Sequence, residues 1–329
     1  MTEYLSDLPS HIQERFKAHP ISRSLRRRPK VYRDTSNFSM IDYSDVIVVD
    51  DRYFLVTGHT VEGRFGVDDQ IKQWVPKVVD LASGQPHILK LVFHETFDIE
   101  VGGFTVRCYR SPEKEARILE HTRGNSRFMQ GYGAEDEAGN LVRILDVIRG
   151  RQLDKHVYRF ECSHEEYYRQ HLPGLLLEFL GCAQGIATLH ANGFRHGDVR
   201  RDHILVEYGS EYLRWIDFDY DFYLAEHPFI LDLHELAGVL IFLVGKGDHH
   251  PQSVLNDPLL GQQVVDSLDS GDLSLLGRNR VVNLRKLYPY ISKECNDILM
   301  HFSQKSTVWY SSVAELIDDI QGMLTSSSF

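Results

Sequence analysis

The period of the apolar pattern changes along the chain, from two in the stretch 44–95 to three and four beyond residue 165. "DVIVVDDRYFLVTG" and "QWVPKVVDLASGQPHILKLVF" are dense in Val, Ile, Tyr and Phe, with Ser83-Gly84 supplying a turn. They predict a strand meander. "RSPEKEARILEHTR" then offers Ser111 as an N-cap, Pro112 at the first helical position, and Ala116, Ile118 and Leu119 on one side. One helix therefore interrupts the sheet, before "NLVRILDVIRGRQL" returns to strand and breaks at Gly150. Later, "LPGLLLEFLGCAQGIATLHANG" predicts a helix stopped by Asn192-Gly193. "ILDLHELAGVLIFLVGKG" predicts one apolar all round and so buried, and 292–324 a closing pair. The class is α+β, a strand-rich first part with one helix and a helix-rich second part.

A chain of 329 residues holds one large domain or two lobes sharing a cleft. Its net charge of −11 excludes a general nucleic-acid or membrane-surface binder, because those partners are polyanions. One local exception follows a short amphipathic helix over 8–19: "SRSLRRRPK" gathers five positive charges in nine positions. It reads as a solvated basic arm or as an element that docks on an acidic partner or on the chain's own acidic surface. Cys108, Cys162, Cys182 and Cys295 are far apart and form no CxxC pair, so a reducing cytoplasm is expected. The first residues lack the pattern of a signal peptide, and the longest apolar run, "LAGVLIFLVG", is too short to span a bilayer. No membrane partner is expected, and the histidine pair His249-His250 reads as solvated loop, with metal binding as the alternative.

Chemistry concentrates in "NGFRHGDVRRDHILVEYGSEYLRWIDFDYDF". Two acidic triplets, with Asp198 and Asp217 nineteen positions apart, flank two short apolar runs joined by a hairpin-like turn. The order of motifs from about residue 50 onward resembles the protein-kinase superfamily. "HILKLVF" is similar to its third-strand lysine motif, with Lys90 as the lysine. "EKEARILE" is similar to its partner helix, with Glu115 as the carboxylate and Glu113 as the second choice. "HGDVRRDH" resembles the catalytic loop with Asp198 at the base position, "DFD" stands at the metal-binding triplet, and Asp232 resembles the brace under the loop.

The resemblance implies a bilobal fold, with an antiparallel sheet lobe over 44–148 and a helical lobe over 149–329 behind an N-terminal arm, 1–43. It implies ATP and a divalent metal, Mg²⁺ or Mn²⁺, around which Lys90, Asp198 and Asp217 converge. Gly58, Gly63 and Gly66 would form the loop over the phosphates, although "VTGHTVEGRFGV" lacks the GxGxxG spacing and an ordinary turn fits it too. Asp146 and Ile148 would contribute to nucleotide binding.

Three departures qualify that expectation. His203 replaces the family's metal-binding asparagine, and imidazole suits manganese, iron or zinc better than magnesium. Asp219 replaces the glycine of the third triplet; in an extended segment Asp217, Asp219 and Asp221 point to one side, as an extra metal ligand or a surface acidic cluster. Only fifteen residues lead from Asp217 to Asp232, and Gly197 replaces the family's arginine, a pattern closer to small-molecule and atypical kinases. Control by activation-loop phosphorylation is not expected. Together these features describe an ATP-dependent phosphotransferase acting on a protein or small-molecule hydroxyl; the alternatives are a pseudokinase that binds nucleotide or scaffolds a partner through its first fifty residues, and nucleotidyl transfer at the same site.

Overall fold

The protein is described by a computed structural model over residues 3–64, 67–101, 104–224, 226–277 and 279–326. It divides into two compact units, one of residues 1–95, 110–125 and 129–148, the other of 96–109, 126–128 and 149–329.

The first unit is a sheet with helices on its flanks. In chain order its strands are β1 (Glu3–Tyr4), β2 (Lys30–Tyr32), β3 (Val46–Val49), β4 (Arg52–Arg64), β5 (Val67–Asp80) and β6 (Pro86–Lys90). The second unit's hairpin, β7 (Thr96–Val101) and β8 (Phe104–Arg110), precedes the sheet's β9 (Gly131–Glu135) and β10 (Leu141–Asp146). The sheet order is β1-β2-β3-β4-β5-β6-β10-β9. Pairing is antiparallel except between β2 and β3, where the expected antiparallel order gives way because residues 33–45 cross back before β3 begins.

Period two places Phe54 and Val56 of β4, Val78 of β5, Leu89 of β6 and Ile144 of β10 in one core layer. The opposite face of β3 and β4 is covered by α1 (Ser10–Ala18), whose Ile12 and Phe16 pack with Val46, Val48 and Leu55. The first residues are thus packed on the sheet. Of the basic run, Arg27 is folded back onto Asp45 (2.7 Å) and Arg28 lies over the Tyr4 ring, while Arg23 and Arg26 are exposed. That part of the arm is thus docked on the chain's own buried Asp45 and on Tyr4.

Helix α2 (Pro112–His121) starts as its sequence dictates: Ser111 Oγ accepts the Lys114 N–H, and Pro112 occupies the first turn, where no N–H is needed. It buries Glu115, Ile118 and Leu119.

In the second unit β11 (Gly150–Gln152), β12 (Ile204–Glu207) and β13 (Leu213–Trp215) form one small sheet, and β7, β8 and β14 (Tyr220–Phe222) another, in the order β14-β8-β7. Gly150 is not a break. A Cβ there would stand 2.5 Å from the Val206 carbonyl, so glycine permits the close pairing of β11 with β12.

Helices α3 (Leu153–Val157), α4 (His164–Gln170), α5 (Leu172–Ala191), α6 (Ile230–Gly245), α7 (Pro251–Asn256), α8 (Gly261–Ser267), α9 (Lys293–Met300) and α10 (Val313–Thr325) complete this unit. Helix α5 is the longest of them. It is long and apolar enough by composition to cross a membrane, yet half of that window is buried inside the protein. There it packs on β13: the Trp215 indole donates to the Cys182 carbonyl (2.9 Å).

Candidate functional site

Lys90 closes β6, and Glu115 sits in the first turn of α2 with no exposed surface. Their side chains meet at 2.7 Å, while the other Glu115 oxygen accepts from Arg143 Nε of β10 at 3.1 Å. The second choice, Glu113, is exposed. All three members of this cluster are buried, Arg143 at 1% exposure, so one carboxylate compensates two cations out of contact with water. Arg143 was missed. Its signal is an arginine inside "LVRIL", an otherwise continuous apolar run.

Other first-unit candidates are scattered along the sheet. Gly58 lies inside β4 at a register shift, with φ +153°, and Gly63 lies at the third such shift, between Glu62 and Arg64. Gly66 lies outside the described residues. Asp146 ends β10, its exposed carboxylate 3.5 Å from the His87 ring, and half-buried Ile148 closes the unit.

In the second unit the loop between α5 and β12 carries Asp198. Asp232, in the first turn of α6, accepts the N–H groups of His196 (2.7 Å) and Gly197 (2.9 Å), and His190 Nε2 contacts the same carboxylate at 2.9 Å. Burial alone would raise the Asp232 carboxyl; the hydrogen bond and charge of His190 outweigh it and hold the group below its ordinary value. Gly197 has φ +86°, a conformation open to glycine and costly for the arginine the family places there. His196 is fully buried, edge-on to Trp215 and Phe218, and fixes the loop from its other side.

The short turn Arg201–His203 delivers His203 beneath Asp198. Its Nδ1 is 2.9 Å from the Asp198 carbonyl oxygen and 3.5 Å from the Asp198 carboxylate, and its Nε2 is 3.6 Å from the Asp217 carboxylate. One imidazole therefore links both predicted carboxylates. The carbonyl contact places the proton on Nδ1, which leaves the Nε2 lone pair facing Asp217 whenever the ring is neutral.

Asp217 itself has φ +69°. That left-handed residue breaks the extended alternation on which a shared face for Asp217, Asp219 and Asp221 was expected. Asp219 is instead buried at 2% exposure, Phe218 packs on Phe128, and Asp221 pairs with Arg195 at 2.9 Å. Directly afterwards β14 joins β8, with Val106 and Cys108 packed on Phe222 and Leu231. This pairing holds the segment after Asp217 as a strand edge of the hairpin β7–β8.

Among the described residues no group of three or more His, Cys, Asp and Glu side chains is placed to hold a metal ion. Asp217 and His203 offer two donors. That suits a divalent cation whose remaining ligands are phosphate oxygens and water.

No protein-family profile matches the chain. A stretch of 185 residues is 24% identical to the death-associated protein kinase dapk-1 of Caenorhabditis elegans, covering 56% of this chain and 12% of that protein. A stretch of 200 residues is 24% identical to the human 2-5A-dependent ribonuclease, covering 56% of this chain and 24% of that protein. Over these two stretches the sequence is distantly similar to those proteins. It spans well under two thirds of either relative. Among solved structures, the kinase domain of Mycobacterium tuberculosis PknI aligns over 82% of this chain and 95% of that one, at 15% identity and a TM-score of 0.46.

The loop that carries Asp198 has one further support that sequence reasoning missed. Glu235, three residues after Asp232 on α6, accepts the Val199 N–H at 2.9 Å, next to Asp198. Burial, then the charges of Asp198 and Asp232, push its carboxyl well above the ordinary range. A carboxyl raised in the folded state contributes no penalty below its unfolded value near 4.3; above it, stability falls as pH rises, by up to about 1.4 kcal/mol per unit, until the folded group ionises. Glu235→Gln keeps the acceptor and removes the titration. Its urea midpoint is expected to match the parent near pH 4 and exceed it increasingly toward pH 7; parallel profiles would show that Glu235 ionises freely.

Proposed function

We propose that this chain is an ATP-dependent phosphotransferase acting on a hydroxyl of a protein or small molecule. The observation that carries the proposal is the imidazole of His203 set between the carboxylates of Asp198 and Asp217, on a loop whose backbone is held by Asp232 and Glu235. Phosphoryl transfer asks a protein for positioning and charge compensation more than for covalent chemistry. Asp198 orients the acceptor hydroxyl and takes its proton. Lys90, steadied by Glu115, compensates phosphate charge. Asp217 and His203 Nε2 hold the divalent metal, which when bound neutralises charge on the transferring phosphate. The pairing of β14 with β8 holds the segment after Asp217 without a phosphorylated residue, in keeping with Gly197 in place of an arginine.

Incubation with γ-labelled and with α-labelled ATP tests the proposal. Label moving from the γ position alone supports it, whereas transfer of the α label identifies nucleotidyl transfer. His203 makes a further prediction. With one imidazole donor the parent is expected to turn over faster in Mn²⁺ than in Mg²⁺, and His203→Asn, which restores a hard oxygen, is expected to reverse that order. Equal rates and metal preference in both proteins would place His203 outside the site.

One observation favours a second reading. A protonated His203 would present its Nε2–H to Asp217 across the 3.6 Å gap and so take a cation's place. The chain would then bind nucleotide without transferring it, and its thermal shift with ATP would be the same with and without divalent metal.

A further inference from the structure

Within the second unit a cavity of about 780 Å³ opens among the end of α5, the start of α6 and the segment leading into α10. Its walls are mainly apolar and aromatic, with Phe229, Leu233, Trp309 and Val313 beside His190 and His234. The size is that of small-molecule sites, which run to roughly 300–1,000 Å³.

Two features give it a chemistry. The His234 ring lies edge-on to Phe302 and tilted against Trp309, and among the described residues no group is hydrogen-bonded to it. Burial keeps it neutral, holding its pKa down to about 4. It therefore offers one donor and one acceptor in an apolar chamber. His190 by contrast is committed: it contacts Asp232 and stacks on Phe229 at 4.3 Å. A charged ligand would shed its hydration here without a buried counter-charge, since Glu226 and His227 of the lining are exposed.

We propose that this cavity binds an uncharged, flat, largely apolar molecule with one hydroxyl or amide group, hydrogen-bonded to His234 and resting on the His190–Phe229 stack. Such an occupant touches the histidine that contacts Asp232, and Asp232 holds the amides of His196 and Gly197. Binding is thereby linked to the loop that carries Asp198.

The test uses the full chain without nucleotide, so its outcome is independent of phosphoryl transfer. Calorimetric titration with 2-naphthol is expected to show saturable one-to-one binding. Naphthalene, which lacks the hydroxyl, is expected to bind about tenfold more weakly, as one lost hydrogen bond implies. His234→Phe should weaken 2-naphthol to the level of naphthalene and leave naphthalene unchanged. Ala187→Trp, placed on the cavity wall, should abolish both. Should that variant not fold, the parent decides: the His234 imidazole resonance must move on titration while that of His164, also half-buried and held at about 4, stays still. Absence of saturable binding, a stationary His234 resonance, or equal 2-naphthol affinity in the parent and His234→Phe would overturn the assignment.

Discussion

Replacing Glu115 by leucine is expected to lower the unfolding free energy by about 3–5 kcal/mol, the cost of leaving buried charge uncompensated. The carboxylate has no exposed surface and faces Lys90 at 2.7 Å and Arg143 at 3.1 Å, both themselves buried. Without it, two buried cations lose the carboxylate they share. Lys90→Met should cost far less, on the order of 1–2 kcal/mol, because Glu115 keeps its bond to Arg143. The double variant is expected to be less destabilised than the sum of the two, since deleting Lys90 removes one of the charges that Glu115→Leu strands. Denaturant midpoints of the four proteins decide this. A Glu115→Leu unfolding free energy within about 1 kcal/mol of that of Lys90→Met would mean that water or other groups already compensate the cations.

That cluster also shows where the sequence is legible. Helix α2 was readable to its first residue because its start is local: a serine oxygen, a proline and a carboxylate one turn on. Arg143 was not, because a lone arginine in an apolar strand declares neither its rotamer nor a partner 28 positions earlier. Strands β3 to β6 and β10 and helix α5 announce themselves through their apolar pattern, and α6 by being apolar all round, whereas β1, β2 and β9 do not. The hairpin β7–β8 does not, although Gly102-Gly103 between "TFDIEV" and "FTVRCYR" was an available turn signal; β8 pairs with β14, more than a hundred residues away. The basic run looked solvated by local charge count, and Arg27 instead found Asp45. At the candidate site, the order of Asp198, His203, Asp217 and Asp232 was legible, and the structure brings them together around one loop. The left-handed backbone at Asp217, which redirects Asp219 inward, was not, because aspartate tolerates both conformations.

The larger effect on activity is expected from the two carboxylates beside His203, and it should divide by role. Asp198→Asn keeps the backbone carbonyl that His203 contacts, so the loop stays in place while its basic oxygen is lost. Single-turnover transfer from γ-labelled ATP is expected to fall by about 10²–10⁴-fold, with nucleotide affinity nearly unchanged, because a general base acts on the acceptor and not on the nucleotide. Asp217→Asn removes the negative charge that faces Nε2 at 3.6 Å and leaves only a neutral amide oxygen in the donor pair. Its loss should appear first in binding: the extra thermal shift that divalent metal adds to ATP in the parent is expected to vanish, and turnover to fall with it. If both variants lost transfer while the metal-dependent shift persisted in Asp217→Asn, the metal would be held elsewhere and the pairing of Asp217 with His203 would be structural. If both variants kept the parent's turnover, any transfer would have to arise outside this loop, and the proposed function would fail with it.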